Sequence, residues 1–424
     1  MSVSFFGYGK TTRAIADRLG NGFDFYDDMC QKIYIDDKGN RVLPSSEFDP
    51  KKSDLEILTP SVRPQSRLMA ASCNPVSEYD LFLAPEKIDA LKRPELYAIY
   101  EKISDQTRPK TVWISGTNGK TTTTRMLTHI LESNGAVSGG NIGTPLAYMD
   151  PNAPLWILET SSYTLHHTKY ASADIYLLLP VTPDHIDWHS TELGYLQDKL
   201  DPLRRMREGD LALVPSGLEL PRSDAWIVEY DSNEFLEEFF DLDASRLRYK
   251  GPFLQDALLA MAISRVLFDK SDYDLLNDFE MDRHRQEEIL DGMGRLWIND
   301  SKATNLDAAL KAIDTYSGCK LHLIAGGDDK GVEMSPLIER LYELDAELYA
   351  IGSNSDKLVE LSKKKGVNAH LCRDLHAALE MVDKRLQKNE AALLSPAAAS
   401  LDQFESYAHR GDEFVNFVKK LQNN

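Results

Sequence analysis

The sequence contains little cysteine, and this scarcity excludes two classes of protein. Only four cysteines occur among 424 residues, far apart and without a C-x-x-C pair. Neither a zinc site nor a disulfide framework is therefore indicated. The cysteines are Cys30, Cys73, Cys319 and Cys372. Reduced thiols of this kind are typical of a cytoplasmic protein.

Long apolar runs and excess positive charge are also absent. No uninterrupted apolar stretch approaches the roughly 18 residues that suggest a transmembrane helix, and residues 1–10 lack the pattern of a secretory signal. Lysine and arginine total 48 against 67 aspartate and glutamate, a net charge of −19. This balance argues against general affinity for nucleic acid or for an anionic membrane. We expect a cytoplasmic protein without membrane insertion, in which local basic clusters would bind any anionic substrate.

What the sequence does contain is a phosphate loop between an apolar strand-like stretch and a Thr-rich helix. Gly116 and Gly119 let the backbone approach phosphate oxygens, and the following helix points its first amides at the anion. Lys120 would contact the terminal phosphates, and the Thr121 hydroxyl would meet a phosphate-bound Mg²⁺. The spacing departs from the full Walker A motif because Ile114 stands at its first glycine. The alternative, a Gly/Asn turn before a helix, is disfavoured by the strand and helix on either side.

Chain length and repeated strand–loop–helix units predict an α/β protein of three domains, because 424 residues exceed one hydrophobic core. We expect a Rossmann-like N-terminal domain at residues 1–93 and a central, P-loop ATPase-like domain with a parallel sheet at residues 94–281. A Rossmann-like C-terminal α/β domain would follow at residues 282–424.

Polar clusters follow two further strands of the central domain. Glu159 comes directly after one apolar strand, and Asp184 and His185 follow the next. Because parallel sheets place ligands at the carboxyl ends of their strands, these clusters should meet beside Gly116. A hydroxyl, a carboxylate and an imidazole near phosphates suit Mg²⁺-ATP chemistry. A capping or solvated Glu159 and a buried structural His185 are the alternatives, and the nearby Asp184 and Asp187 favour the metal.

Two other glycine-containing stretches could approach a ligand. In the N-terminal domain Gly7 and Gly9 follow a strand, and Asp27 stands where dinucleotide-binding folds hold an acidic residue for a ribose. Thr12 replaces the third glycine of that pattern, so a nucleotide or sugar-nucleotide site is only suggested. In the central domain, Gly139–Gly143 is expected to be a flexible turn.

Taken together and in order, the motifs resemble the Mur ligases of bacterial cell-wall synthesis. They are Ser115–Thr121, Glu159–Ser162, Asp184–Asp187, His284-Arg285, Asn299–Asn305 and Gly326–Lys330, followed by the tail Leu394–Phe404 with Tyr407 and Arg410-Gly411. The tail is closest to the branch that adds D-glutamate to UDP-N-acetylmuramoyl-L-alanine through an acyl phosphate. A sister Mur ligase adding a different residue, a folylpolyglutamate synthase-like ligase, and a nucleotide-binding protein without catalysis are the alternatives.

The resemblance implies a role for each matching residue. Thr121, Glu159 and His185 would ligate Mg²⁺, and a carbamylated Lys199 would help to hold a second ion; otherwise Lys199 is an ordinary helical surface lysine. The catalytic set would be Lys120, Glu159, His185, Lys199 and Lys302. The nucleotide would contact Gly116, Thr117, Asn118, Gly119, Lys120, Thr121, Thr122, Arg285 and Asp300.

The same resemblance assigns the substrates UDP-N-acetylmuramoyl-L-alanine and D-glutamate, the former to the N-terminal domain and the amino acid to the C-terminal one. Their contacts would be Gly9, Lys10, Thr11, Thr12, Asp27, Asn141, Ser161, Thr304, Lys330, Ser400, Leu401 and Tyr407. As alternatives, Asp300 and Thr304 could be helix caps and Ser400 a turn residue. The chain departs from the family at residues 251–256, which lack the His-Asn-x-x-Asn sequence that the family has near its adenine contacts. We expect the protein to be a monomer.

Overall fold

The computed structural model describes residues 2–104 and 108–422. Residues 1, 105–107, 423 and 424 of the three predicted domains lie outside this range. The chain divides into two compact units, of which the first comprises Met1–Leu247 with Asp256–Phe279 and the second Arg248–Gln255 with Glu280–Asn424. Three six-stranded sheets lie in these units, and this architecture confirms the predicted three-domain α/β fold. The residue limits of the three domains stay predictions.

The first sheet has the strand order β3-β4-β2-β1-β5-β6 and is parallel except for the edge strand β3. Its strands are β1 (Val3–Phe6), β2 (Asp24–Asp27), β3 (Tyr34–Ile35), β4 (Arg41–Pro44), β5 (Leu55–Leu58) and β6 (Pro75–Val76), and its helices are α1 (Lys10–Leu19), α2 (Arg67–Ala71), α3 (Glu78–Leu83) and α4 (Tyr97–Ser104). Both central strands, β1 and β5, are wholly buried, as apolar runs in a parallel sheet should be.

The second sheet is entirely parallel, in the order β12-β11-β10-β7-β9-β8. Its strands are β7 (Lys110–Ser115), β8 (Ala136–Gly140), β9 (Leu155–Glu159), β10 (Ile175–Leu178), β11 (Leu211–Pro215) and β12 (Trp226–Tyr230). The helices that follow along the chain are α5 (Lys120–Leu131), α6 (Ser162–His167), α7 (Ile186–His189), α8 (Glu192–Leu200), α9 (Asn233–Phe240), α10 (Pro252–Phe268) and α11 (Tyr273–Asn277).

Helix α3 joins the first two sheets, which share one unit. The buried carboxylate of Glu78 accepts a hydrogen bond from the backbone of Leu146 at 2.7 Å. Asp80 accepts three more, from the amides of residues 169–171 at 2.7–2.9 Å. Between them, the Tyr79 hydroxyl lies 3.0 Å from the Thr160 hydroxyl. A short helix therefore satisfies buried polar groups of the second sheet's loops, an arrangement that is costly to break.

The third sheet has the order β13-β14-β18-β15-β16-β17 and is parallel except for the edge strand β13. Its strands are β13 (Glu287–Leu290), β14 (Leu296–Asn299), β15 (Leu321–Gly326), β16 (Ala346–Ile351), β17 (Asn368–Arg373) and β18 (Ala391–Leu394), and its helices are α12 (Leu306–Thr315), α13 (Ser335–Tyr342), α14 (Ser355–Lys365), α15 (Leu375–Asp383) and α16 (Tyr407–Gln422). Buried apolar clusters cover both faces, as a doubly wound sheet requires.

One local prediction is wrong. Gly139 and Gly140 were expected in a flexible turn, but they form the end of β8 and pair with β9. Glycine is needed there because a Cβ on Gly140, at φ 81°, would lie 2.5 Å from the Glu159 carbonyl oxygen. No helix in the described ranges has both the length and the apolarity to cross a membrane.

Candidate active site

The phosphate loop has the predicted strand–loop–helix form. It leaves β7 at Ser115 and enters α5 at Lys120. Gly116 and Gly119 adopt φ of 142° and 85°, and Cβ atoms there would lie 2.5 Å from Leu179 and 2.4 Å from an Asp256 carboxylate oxygen. Side chains are therefore excluded at both glycines, and the backbone stays open to an anion at the start of the helix.

The Lys120 side chain folds back along this loop. Its Nζ donates hydrogen bonds to the carbonyl oxygens of Gly116, at 2.9 Å, and Thr117, at 2.7 Å. The Thr117 hydroxyl in turn donates to the Thr182 carbonyl at 2.8 Å and lies 3.0 Å from the Tyr195 hydroxyl. The loop is thus fixed from both sides, with its cation held beside the helix N-terminus.

The three predicted strand ends do converge. β7 lies between β9 and β10, with Ile114 in register with Glu159 and Ser115 in register with Leu178. The loop after β10 then leads to His185 at the start of α7. Sheet topology therefore brings the phosphate loop, Glu159 and the His185 loop to one edge.

Glu159 has a carboxylate oxygen available for a cation. The residue is only 3% exposed, and its Oε1 accepts a hydrogen bond from the Asn141 amide at 2.6 Å. Its Oε2 is buried and accepts none from the described residues. Neither alternative for Glu159 fits, since it is not solvated and Ser161 caps α6. An anionic oxygen without a protein donor fits an oxygen-preferring cation such as Mg²⁺.

His185 is a surface histidine in a strained backbone conformation. Its φ is 52°, its side chain is 42% exposed, and its Nε2 lies 3.5 Å from an Asp184 oxygen. The alternative of a buried structural histidine is therefore excluded. Left-handed backbone at a non-glycine residue is costly and recurs at functional sites.

Lys199 is not the surface lysine of the alternative interpretation. It is 1% exposed, and its Nζ donates to the Gly116 carbonyl at 2.8 Å and to the Ser115 hydroxyl at 3.3 Å. Burial first, and then the charge of Lys120, place the pKa of Lys199 well below its ordinary value. An unprotonated amine is the form that carbon dioxide carbamylates, so the environment of Lys199 fits that modification.

In the first sheet, the predicted substrate loop is held by its own polar side chains. Thr12 is fully buried and donates to the Gly7 carbonyl at 2.6 Å. Asp27 accepts from the Tyr8 amide at 2.6 Å, so its carboxylate braces the loop. Lys10 donates to the Gly143 carbonyl, which joins this loop to the turn that contains Asn141. Gly9 and Thr11 lie at the N-terminus of α1, where an anion is favoured.

In the second unit, Asp300 and Lys302 follow β14. Asp300 accepts hydrogen bonds from the Ser395 hydroxyl at 2.8 Å and the Gln286 amide at 3.3 Å, and burial raises its pKa to about 7. Asn305 caps α12, so neither Asp300 nor Thr304 is its cap. The Lys302 ammonium lies 3.9 Å from the centre of the Tyr407 ring, a cation–π contact that positions this lysine.

The predicted amino-acid contacts come from two loops that pair with each other. Asp328 and Ala399 exchange backbone hydrogen bonds of 3.0 and 2.9 Å. This pairing places Lys330, at φ 50°, and Ser400 on adjoining loops. The Ser400 carbonyl accepts a backbone hydrogen bond from Gln403, so Ser400 does begin a turn, as its alternative interpretation had it. The adjacent Leu401 is 73% exposed. Ammonium and hydroxyl groups at the ends of β15 and β18 suit a carboxylate ligand.

A cleft of about 480 Å³ lies in the second unit beside Arg285. Its other cationic lining residues are Arg248, Lys250 and Arg283. Its wall includes Tyr249, Phe253 and Tyr316. Sequence reasoning found only Arg285, because the residues around 250 lacked the expected family pattern. Three carboxylates, those of Asp282, Glu287 and Glu288, also line the cleft, and Arg285 Nε lies 3.6 Å from an Asp282 oxygen.

Comparison with known proteins now defines the class. A family model for the Mur ligase middle domain matches residues 114–231, and one for the Mur ligase glutamate ligase domain matches residues 284–398. A solved MurF ligase from Thermotoga maritima in complex with ADP shares the fold, with a TM-score of 0.59 and 16% identity over 96% of this chain and 99% of that one. The chain belongs to the Mur ligases, a family of ATP-dependent ligases.

Two curated relatives narrow the comparison to one branch. The UDP-N-acetylmuramoylalanine–D-glutamate ligase of Campylobacter jejuni subsp. jejuni serotype O:23/36 (strain 81-176) is 46% identical over 99% of this chain and 100% of its own length. The enzyme with that name from Helicobacter pylori (strain HPAG1) is 40% identical over the same shares. The similarity therefore includes the N-terminal sheet, which neither family model covers.

Proposed function

We propose that this chain uses ATP to join D-glutamate to UDP-N-acetylmuramoyl-L-alanine, a step in peptidoglycan precursor synthesis, and that it acts as a monomer in the cytoplasm. The observation that carries the proposal is the 46% identity, over the whole relative, to an enzyme named for this reaction. The positions of three residues support it, because Glu159 ends β9, Lys120 follows the loop after β7 and Lys330 lies in the loop after β15, at the carboxyl ends of parallel strands.

The first half-reaction transfers the terminal phosphate of ATP to the carboxylate of the alanyl group. Two anions must approach each other, so positive charge is needed between them. Lys120 supplies a fixed cation on the phosphate loop, and the amides at the start of α5 supply partial positive charge. The glycines keep the loop backbone within reach of phosphate oxygens.

Thr121, Glu159 and His185 would hold one Mg²⁺, and a carbamate on Lys199 would help to hold a second. Bound there, Mg²⁺ offsets the charge of the phosphates. Lys199 reaches the carbamate when its neutral Nζ attacks carbon dioxide, forming an N–C bond and releasing one proton. Burial favours the neutral amine that this step requires.

The second half-reaction joins the amine of D-glutamate to the acyl phosphate. The N–C bond forms, the C–O bond to phosphate breaks, and the amine releases a proton. In the proposal, Lys330, Ser400 and Thr304 orient the amino acid, whose side-chain carboxylate Lys330 would pair with. Lys302, held over Tyr407, would face the reacting phosphate, and Asp300 and Arg285 would bind the ribose and a phosphate of the nucleotide.

Phosphate release from ATP tests this proposal directly. The purified chain would be supplied with Mg²⁺ and UDP-N-acetylmuramoyl-L-alanine, and then with D-glutamate, L-glutamate, L-lysine, diaminopimelate or glycine. We expect turnover with D-glutamate and little with its L enantiomer. Turnover with another amino acid would instead identify a sister ligase, and turnover with a folate and L-glutamate a folylpolyglutamate synthase-like enzyme. Absence of D-glutamate turnover would contradict the proposal.

A further inference from the structure

Two histidines and an aspartate near the candidate active site form a cluster that the proposed reaction does not use. It consists of His166 on α6, His189 at the end of α7 and Asp198 on α8, and one ligand atom from each lies within 4.8 Å of the others. His166 Nδ1 lies 2.9 Å from Asp198 Oδ1, and His189 Nδ1 lies 2.7 Å from Asp198 Oδ2. Both imidazoles therefore present the same nitrogen to one carboxylate.

We propose that His166, His189 and Asp198 form a binding site for a first-row transition-metal ion of the Zn²⁺, Co²⁺ or Ni²⁺ type. Two imidazoles and one carboxylate form a ligand set that such ions accept readily, whereas Mg²⁺ is held mainly by oxygen ligands. Metal–ligand bonds of about 2.0–2.2 Å hold tetrahedral ligand atoms roughly 3.4 Å apart. To reach that spacing, the His–Asp distances of 2.9 and 2.7 Å would lengthen, and no pair of ligand atoms starts more than 4.8 Å apart.

The surroundings of His189 match those of a metal-ligating histidine. Its side chain is fully buried, and its Nε2 lies 2.9 Å from the Ser162 hydroxyl. A ligating histidine usually bonds a polar group through its second nitrogen, which fixes the ring. When Nδ1 binds the metal, the proton of the neutral ring resides on Nε2 and is donated to Ser162 Oγ. Because a hydroxyl can either accept or donate a hydrogen bond, the contact between His189 and Ser162 can persist in both the metal-free and the metal-bound cluster.

His166 provides the solvent-facing side of the cluster. Its side chain is 33% exposed and that of Asp198 is 20% exposed, so an ion could enter and water could complete its coordination. Trp188 adjoins both imidazoles, with ring centres 5.0 Å from His166 and 4.5 Å from His189. This indole provides an optical probe of the cluster.

Occupancy of this site would connect three elements that adjoin the candidate catalytic residues. α7 begins after His185, α8 contains Lys199 directly after Asp198, and α6 follows the Glu159 strand end. A metal ion shared by the three helices would restrain these elements together. The inference does not depend on the proposed reaction, because binding is measured without nucleotide or substrate.

Cobalt titration tests the site in the chelator-treated, full-length protein with excess Mg²⁺ present. We expect one saturable Co²⁺ site by calorimetry and by visible absorption, together with quenching of Trp188 fluorescence that is lost in Trp188→Phe. His166→Ala should weaken binding by at least about tenfold. His376→Ala, which removes a 73%-exposed histidine on α15, is the matched control and should bind like the wild type.

Two results would overturn the proposal. One is the absence of saturable Co²⁺ binding to the wild type, and the other is wild-type affinity in His166→Ala. Asp198→Asn, which keeps the size of the side chain, provides a second variant if His166→Ala does not fold, as judged by circular dichroism. A cluster that serves only as a hydrogen-bonded brace would bind Co²⁺ no better than these variants do.

Discussion

Lys120 and Lys199 donate hydrogen bonds to the same carbonyl oxygen, that of Gly116, at 2.9 and 2.8 Å. Two amines that share one acceptor in a buried place cannot both carry a proton without mutual repulsion. Lys120 follows the open loop and is partly exposed, whereas Lys199 is enclosed, and burial together with the charge of Lys120 lowers the pKa of Lys199. In the proposed reaction, Lys120 would act as the cation and Lys199 as the reactive amine.

Lys120→Ala should abolish turnover while the protein still folds. The lysine bonds two backbone carbonyls of the loop, so its loss removes the cation beside the phosphates without opening the core. We expect the phosphate-release rate to fall by at least roughly 10²–10³-fold. Lys110→Ala, at the exposed start of the same strand, is the control and should retain activity. A near-wild-type rate for Lys120→Ala would remove this residue from the mechanism.

Lys199→Ala should lose activity that short carboxylic acids partly restore. Formate or acetate can enter the space vacated by the lysine and supply a carboxylate where the carbamate would lie. The measurement is turnover across a series of acid concentrations, with Lys120→Ala as a variant that the acids should not rescue. Full activity of Lys199→Ala without any acid would rule out the carbamate.

Gly119→Ala should destabilise the protein more than Gly217→Ala, although the two glycines have φ of 85° and 80°. An alanine at either position costs about 1 kcal/mol for left-handed backbone. At Gly119 the new Cβ would also lie 2.4 Å from Asp256, whereas at Gly217 it would meet no described atom within 4 Å. Urea unfolding measures the loss of stability in each variant. ADP titration measures the loss of nucleotide affinity that we expect in Gly119→Ala. Equal losses in both variants would contradict the steric argument.

Asp300 should make stability depend on pH. Burial raises its folded-state pKa from 3.8 to about 7, so between these values the folded protein binds more protons than the unfolded chain. The free energy of unfolding should therefore fall as pH rises from about 4 to about 7, by up to roughly 1.4 kcal/mol per pH unit from this group. Asp300→Asn removes that contribution, so urea unfolding of both proteins across this range should show a smaller decline in the variant. If the unfolding free energies of the two proteins changed with pH in parallel, the pKa of Asp300 would not be raised in the folded protein.

The edge of the second sheet could be predicted from the sequence because it follows from topology. Apolar strands ending at Ser115, Glu159 and Leu178 had to lie parallel, and parallel strands bring their carboxyl ends together. The polar residues after each strand could therefore be assigned to one place. The Gly139-Gly140 turn was mispredicted, because glycine there serves close backbone approach within a strand rather than flexibility.

Contacts between side chains distant in sequence could not be predicted in the same way. Helical position alone does not show that Lys199 faces the sheet, and only the family resemblance singled it out. The hydrogen bond between Ser162 and His189 needs helices α6 and α7 to pack together, and no local pattern encodes it. The missing family pattern at residues 251–256 likewise does not indicate that the Asp256 carboxylate adjoins Gly119.

The polar contacts of α3 limit how homologous enzymes could be recombined. Glu78 and Asp80 satisfy backbone amides in loops of the second sheet, and Tyr79 contacts the residue directly after Glu159. A chimera that took only its first sheet from a relative would inherit carboxylates matched to different loops. Chimeras in which the first two sheets are exchanged together should therefore fold better than chimeras in which either sheet is exchanged alone.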